Sequence, residues 1–165
     1  VPWPHQLSLG KQCIVETGVF FKYDGFWKPG PSIQIGDRVF IGRNTEFNIG
    51  IGIIIDDDCL IASGCTFVDA DHGTNPGLPM NVQPHSGAAI VLEANVWIGA
   101  QCVVLKGVHL GRGAVIGAGS VVTKSVPAGE VWAGVPARRL KQPPWKSTLS
   151  DSCRRPSEIL PAVAP

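Results

Sequence analysis

Residues 96–124 read VWIGAQCVVLKGVHLGRGAVIGAGSVVTK, and within them Ile98, Val104, Leu110, Ile116 and Val122 recur at every sixth position. An amphipathic helix repeats its apolar face at about 3.6 residues and a half-buried strand at about 2, so a period of six needs a coil with flat sides. Gly99, Gly111 and Gly117 directly follow three of these anchors. A residue without Cβ suits a turn with positive φ there.

The register extends outward from this stretch. Leu92 keeps it, as do Leu9, Val15 and Phe21, then Ile35, Ile41 and Phe47, then Ile55, Ile61 and Phe67. The fourth residue after an anchor is small or β-branched: Val39, Thr45, Cys59, Cys65, Val96, Cys102, Val108, Ala114, Ser120. Short repeats of this kind mark a β-helix, in which each repeat supplies one short strand and successive coils stack over a continuous core. With three hexads to a coil the anchors make about five coils, a prism about 24 Å long at roughly 4.8 Å per stacked strand. The expectation is an all-β domain over 7–140 with protruding loops. The beat is lost in a Pro-rich C-terminal tail over 141–165, which reads as flexible.

Composition narrows the function classes. The 165 residues are 44% hydrophobic, with no run approaching the roughly 20 apolar residues of a membrane span. A net charge of +1 and 16% charged residues leave no basic stripe for nucleic acid. No stretch resembles a signal peptide. Cys13, Cys59, Cys65 and Cys102 all occupy the small-residue slot and read as core filler. No C-x-x-C pair exists, so neither metal spacing nor a disulfide framework is expected, and the setting reads as reducing and cytoplasmic.

Two interruptions break the beat. Tyr23 to Pro31, with Phe26 and Trp27, reads as a loop leaving the prism, and Phe67 and Leu92 stand 25 residues apart where the beat needs six. Long excursions from a compact domain are usually functional or disordered. The larger one opens with Asp69, Asp71 and His72. A histidine titrating near neutrality can take a proton from a hydroxyl or amine.

Asp71-His72-Gly73, the loop after it, VWIGA at 96–100, IGAGSVVTK at 116–124 and AGVPAR at 133–138 together resemble the hexapeptide-repeat acyltransferases. Order and spacing are similar to the galactoside, maltose and polysaccharide O-acetyltransferase group. The resemblance implies a left-handed parallel β-helix, a handedness that the usual crossover preference does not supply. It also implies acetyl-coenzyme A as acyl donor, no metal, and a homotrimer with active sites between subunits.

Carried over residue by residue, the resemblance makes His72 the general base and sets Trp97 near it and the pantetheine arm. The backbone N–H of Ala100 is the candidate oxyanion donor. Ala100, Ala118, Thr123, Lys124 and Arg138 become the coenzyme contacts, the last two by phosphate pairing. Lys141 stands where the family has a second arginine, which keeps the charge but loses the bidentate fork. On the acceptor side the pattern departs: Glu46 replaces the family's Asn and Asn48 is out of register with it. Glu46, Asn48, Asp71 and Gln83 are the candidate substrate contacts, with Tyr23 to Trp27 as an aromatic surface for a sugar ring. Asp69 or Asp71 either orients His72 or caps the loop turn.

The implied reaction is acetyl transfer to a hydroxyl of a sugar or polysaccharide precursor. The alternatives are a streptogramin- or chloramphenicol-type antibiotic acetyltransferase, an amino-sugar N-acetyltransferase and, more remotely, a non-catalytic β-helix scaffold. A γ-type carbonic anhydrase shares the β-helix but needs three histidine ligands. His5, His85 and His109 make no spaced set with His72.

Overall fold

Three parallel sheets run along the molecule as the faces of a triangular prism. The computed structural model describes residues 4–140; the tail over 141–165, with Lys141 and Cys153, lies outside the described residues. The first face stacks Leu7–Leu9, Ile33–Ile35, Ile53–Ile55, Ile90–Leu92 and His109–Leu110. The second stacks Ile14–Val15, Phe40–Ile41, Leu60–Ile61, Trp97–Ile98, Val115–Ile116 and Val131–Ala133, with Arg138–Arg139 added antiparallel at its edge. The third stacks Phe20–Tyr23, Glu46–Ile49, Thr66–Val68, Val103–Leu105 and Val121–Val122.

The pairing register is the beat itself. Leu9, Ile35, Ile55, Leu92 and Leu110 are successive partners on the first face. Val15, Ile41, Ile61, Ile98 and Ile116 are so on the second, and Phe21, Phe47, Phe67, Val104 and Val122 on the third. From Ile35 onward every anchor is at most 4% exposed. The strand spacing also dictates ring packing: Phe21, Phe47 and Phe67 stack with centroids 4.9 and 4.8 Å apart, the separation of neighbouring strands.

Leu9 and Val15 correct the reading of the first block, because they are 47% and 38% exposed. No described coil stacks above them, so their inward direction does not bury them. The opposite end is closed by the chain after Val122. Gly111 N–H donates to Val126 O at 2.8 Å, Val121 N–H to Gly134 O at 3.0 Å and Ala137 N–H to Val121 O at 2.8 Å.

The turns need a second correction. Positive φ falls on the third residue after the anchor, as at Asn95 (62°) and Gln101 (57°), and not on the glycine directly after it. Those glycines answer to close stacking. A Cβ on Gly99 would lie 2.5 Å from the Ala118 backbone nitrogen, so only hydrogen fits where one coil turns over the next. The small slot beside the turn takes thiols readily: Cys59, Cys65 and Cys102 are buried, Cys13 is half-buried and all are free. Each buried thiol meets a carbonyl of the next coil, of Glu93, Gly99 or Gly117, at 3.1–3.2 Å. Burial pushes the Cys59 thiol up to about 11, which keeps it protonated and unreactive near neutrality.

Both interruptions leave at the edge between the third and first faces, and a third joins them. Phe47 and Ile55 stand eight residues apart, so Gly50, Ile51 and Gly52 form a short turn there, between the excursions over 24–32 and 69–89.

Candidate active site

Asp69 organises this edge. It is fully buried, and its carboxylate accepts the backbone N–H groups of Gly50, Ile51 and Gly52 at 2.8, 2.8 and 2.7 Å. Its carbonyl accepts the N–H of Ala88 at 3.0 Å. One side chain thus fixes the short turn while its backbone receives the returning limb of the large excursion.

Beyond Asp69 the excursion forms an antiparallel ladder, Ala70–Asp71 against Ser86–Gly87, with Ala70 opposite Gly87 and Asp71 opposite Ser86. The next rung would set His72 against His85, since facing residues of an antiparallel pair lie on one side of the ribbon. The two rings meet edge to face with centroids 4.1 Å apart, and both side chains are exposed. Asp71 turns away to Lys106 at 2.8 Å, and Lys106 also donates to Ser86 Oγ at 2.7 Å. Neither aspartate is therefore engaged with His72: Asp69 holds the turn and Asp71 holds Lys106.

Gln83 is 5% exposed. Its Oε1 accepts from Asn75 N–H at 2.7 Å and its Nε2 donates to Leu78 O at 2.8 Å. The carboxamide is spent on the loop's own backbone, so Gln83 shapes the loop and is not open to an acceptor, contrary to the expectation from sequence. Asn48 does line a cleft of about 270 Å³ with His72, His85, Asp71, Asp24 and Lys22. Glu46 lies two residues earlier on the same strand, opposite Thr66, outside that lining.

The remaining candidates fall on other parts of the prism. Thr123 and Lys124 are exposed and follow Val121–Val122, at the edge that carries His72, two coils further on. Ala100 and Ala118 stack at the edge between the second and third faces, where Gly119 N–H donates to Ala100 O at 2.8 Å. Trp97 is 49% exposed on the second face between Leu60 and Val115, the face opposite the edge that bears His72. Arg138 is exposed in the closing segment, where its guanidinium donates to the Ala137 carbonyl at 2.9 Å. One chain therefore brings His72 together with His85, Asn48 and Asp24, and does not bring Trp97, Ala100 or Ala118 to them.

Sequence reasoning missed Lys106, Asp24 and the pairing of His85 with His72. Lys106 was legible in principle, because it stands two residues after the anchor Val104 at the same edge. His109, by contrast, pairs with Glu93 at 2.8 Å. Backbone donation by Arg112 and the contact with His109 hold the Glu93 carboxyl below the usual carboxylate range. Among the described residues no group of three or more His, Cys, Asp or Glu is arranged to hold a metal ion.

The arrangement suits proton transfer, with an imidazole open to a cleft and its surrounding charges already paired. The family described as bacterial transferase hexapeptide (six repeats) matches residues 89–124, and the hexapeptide repeat of succinyl-transferase matches 32–67. The chain is 35% identical over 141 residues to galactoside O-acetyltransferase of Escherichia coli (strain K12), covering 82% of this chain and 63% of that protein. It is 33% identical over 138 residues to the putative lipopolysaccharide biosynthesis O-acetyl transferase WbbJ of the same strain, covering 76% and 67%. The solved hexapeptide-repeat acetyltransferase VCA0836 of Vibrio cholerae, complexed with acetyl-coenzyme A, is similar at a TM-score of 0.71 and 32% identity, covering 80% of this chain and 68% of that one. The chain spans about two thirds of the length of these proteins, and hexapeptide repeats match it over 32–67 and 89–124; it belongs to the hexapeptide-repeat acyltransferase family, whose fold is the left-handed parallel β-helix.

Proposed function

We propose that the protein transfers an acetyl group from acetyl-coenzyme A to a hydroxyl of a sugar or polysaccharide precursor. The observation that carries this reading is the gathering of His72, His85, Asn48 and Asp24 around one cleft at the insertion edge. His72 takes the acceptor hydroxyl proton, within a reach of about 2.6 to 3.2 Å, as that oxygen attacks the thioester carbonyl. The N–H of Ala100 holds the tetrahedral oxyanion. When the C–S bond breaks, His72 returns its proton to the departing thiolate, so the enzyme ends unchanged.

Trp97 and Ala100 reach His72 from a neighbouring copy in this reading, which makes a homotrimer part of the mechanism. The outer side of the second face supports self-association. Ile14, Phe40, Leu60, Trp97 and Val115 are registered neighbours along it, and Ile14, Leu60 and Trp97 are 59%, 49% and 49% exposed. Leu60→Asp would bury a charge in that contact. Sedimentation should show a trimer for the parent and a monomer, with little activity, for the variant.

Lys124 and Arg138 pair with the coenzyme phosphates in this reading. Lys124→Ala or Arg138→Ala should raise the donor KM about tenfold, the loss of one charge-assisted contact. Steady-state kinetics with varied acetyl-coenzyme A check this.

A cytoplasmic setting belongs to the same reading. Its support is the set of free, mostly buried thiols; among the described residues no helix is long and apolar enough to cross a membrane. The deciding experiment follows release of coenzyme A from acetyl-coenzyme A against sugars, nucleotide sugars, amino sugars and antibiotics. Turnover of sugars at hydroxyl groups supports the reading. Turnover confined to streptogramins, chloramphenicol or amino sugars would replace it.

A further inference from the structure

The cleft at the insertion edge has two lobes. The inner lobe, about 270 Å³, reaches His72 and Asn48. The outer lobe, about 420 Å³, is walled by Phe26, Ile51 and Pro84. Asp24 and His85 line both, so they stand at the junction as polar groups in a passage whose outer part is apolar.

The outer lobe is held in shape by groups behind it. Tyr23, itself buried, donates its hydroxyl to the Phe26 carbonyl at 2.9 Å. Lys28 Nζ donates to the Ile51 carbonyl at 2.8 Å, and Asp69 fixes the turn that carries Ile51. Phe26 and Ile51 nevertheless present exposed side chains, at 96% and 46%. An apolar wall on an anchored backbone, with a few convergent polar groups, is the usual build of a small-molecule site.

The charges around the cleft balance in number: Lys22 pairs with Asp24 at 2.5 Å and Lys106 with Asp71 at 2.8 Å, and the positive charge of Lys28, which is engaged with the Ile51 carbonyl, is matched by the buried Asp69 carboxylate. A diphosphate would need cations directed at it, and each of these three lysines already has a partner. A pyranose ring needs none: it offers an apolar face to Phe26 and Ile51 and hydroxyls to His85 and to Asp24 Oδ1, the carboxylate oxygen outside the pair with Lys22.

Resting on the acyl-transfer reading, we infer that His85 is an acceptor-contacting residue which, with Asp24, seats an uncharged glycosyl ring in the outer lobe and turns one hydroxyl toward His72. The contact between the two imidazoles lets both face a single bound ring. His85 fixes the acceptor's position, and His72 takes its proton.

The test uses p-nitrophenyl glycosides of glucose, galactose and N-acetylglucosamine against UDP-glucose and UDP-galactose, with the parent enzyme, His72→Ala, His85→Gln and Asp24→Asn. All are surface changes, and thermal melting of each variant reports its fold. A neutral glycoside should be acetylated with a lower KM than the UDP-sugars. His85→Gln and Asp24→Asn should each raise the acceptor KM about tenfold, the worth of one lost hydrogen bond, with smaller changes in kcat and donor KM. If His72→Ala abolishes turnover while both other variants keep the parent acceptor KM, the inference falls and the base assignment stands. A preference for UDP-sugars also overturns the inference. If His72→Ala stays fully active, or the parent acetylates no sugar at all, the acyl-transfer reading itself falls and takes the inference with it.

Discussion

Replacing His72 by Ala should lower kcat by about 10²- to 10⁴-fold, the usual worth of a positioned general base. Its imidazole is exposed and its near ring neighbour is His85, so the substitution removes no buried contact. The melting temperature and the binding of acetyl-coenzyme A should therefore stay close to the parent. Single-turnover acetyl transfer, measured beside donor binding by calorimetry, separates the two properties. Full activity in the variant would remove His72 from the chemistry.

Asp69→Ala should have the largest effect on stability. Its carboxylate accepts three backbone N–H groups in a fully buried position. The donors are part-buried, so leaving them unsatisfied costs about 1–2 kcal/mol each and about 3–5 kcal/mol in total. For a chain of this size that lowers the melting temperature by about 10 °C. Asp69→Asn keeps one acceptor oxygen and should lose about half as much. Thermal unfolding followed by circular dichroism reads both values, and a drop of under 2 °C for the alanine variant would contradict the role given to the carboxylate. Activity should fall with stability, because Ile51 and the limb carrying His85 are held through this residue.

The coil number, the sheet register and the buried ladders were legible because a β-helix repeats one environment. Ile98 and Ile116 report the same slot, and each confirms the other. Residues at the ends carry less. Leu9 obeys the period as well as Leu92 does, yet burial depends on a coil above it, which no spacing within the block records. Gly99 misled about the turns for a related reason. Glycine answers both to positive φ and to close packing, and Asn95 and Gln101, which do adopt positive φ, carry weaker signals.

At the site, His72 stood out because it opens the longest break in a regular pattern. His85 did not, since its meeting with His72 depends on an antiparallel register inside a segment without a period. Asp69 and Asp71 looked equivalent in sequence. They separate only in space, where one faces the backbone of Gly50–Gly52 and the other faces Lys106. Trp97 lies one coil from His72 in the repeat, yet its face and the edge bearing His72 lie on opposite sides of the prism.

All three excursions leave the prism at one edge, and the rungs between them keep their pairing whatever length of chain is interposed. Loop-closure entropy grows only slowly with length, and each coil answers mainly to its neighbours. The edge is in effect an exchangeable margin on an invariant column. Segments 24–32 and 69–89 could be transplanted together between relatives of this fold, and the later coils that carry Ala100, Ala118, Thr123 and Lys124 would keep their stacking unchanged.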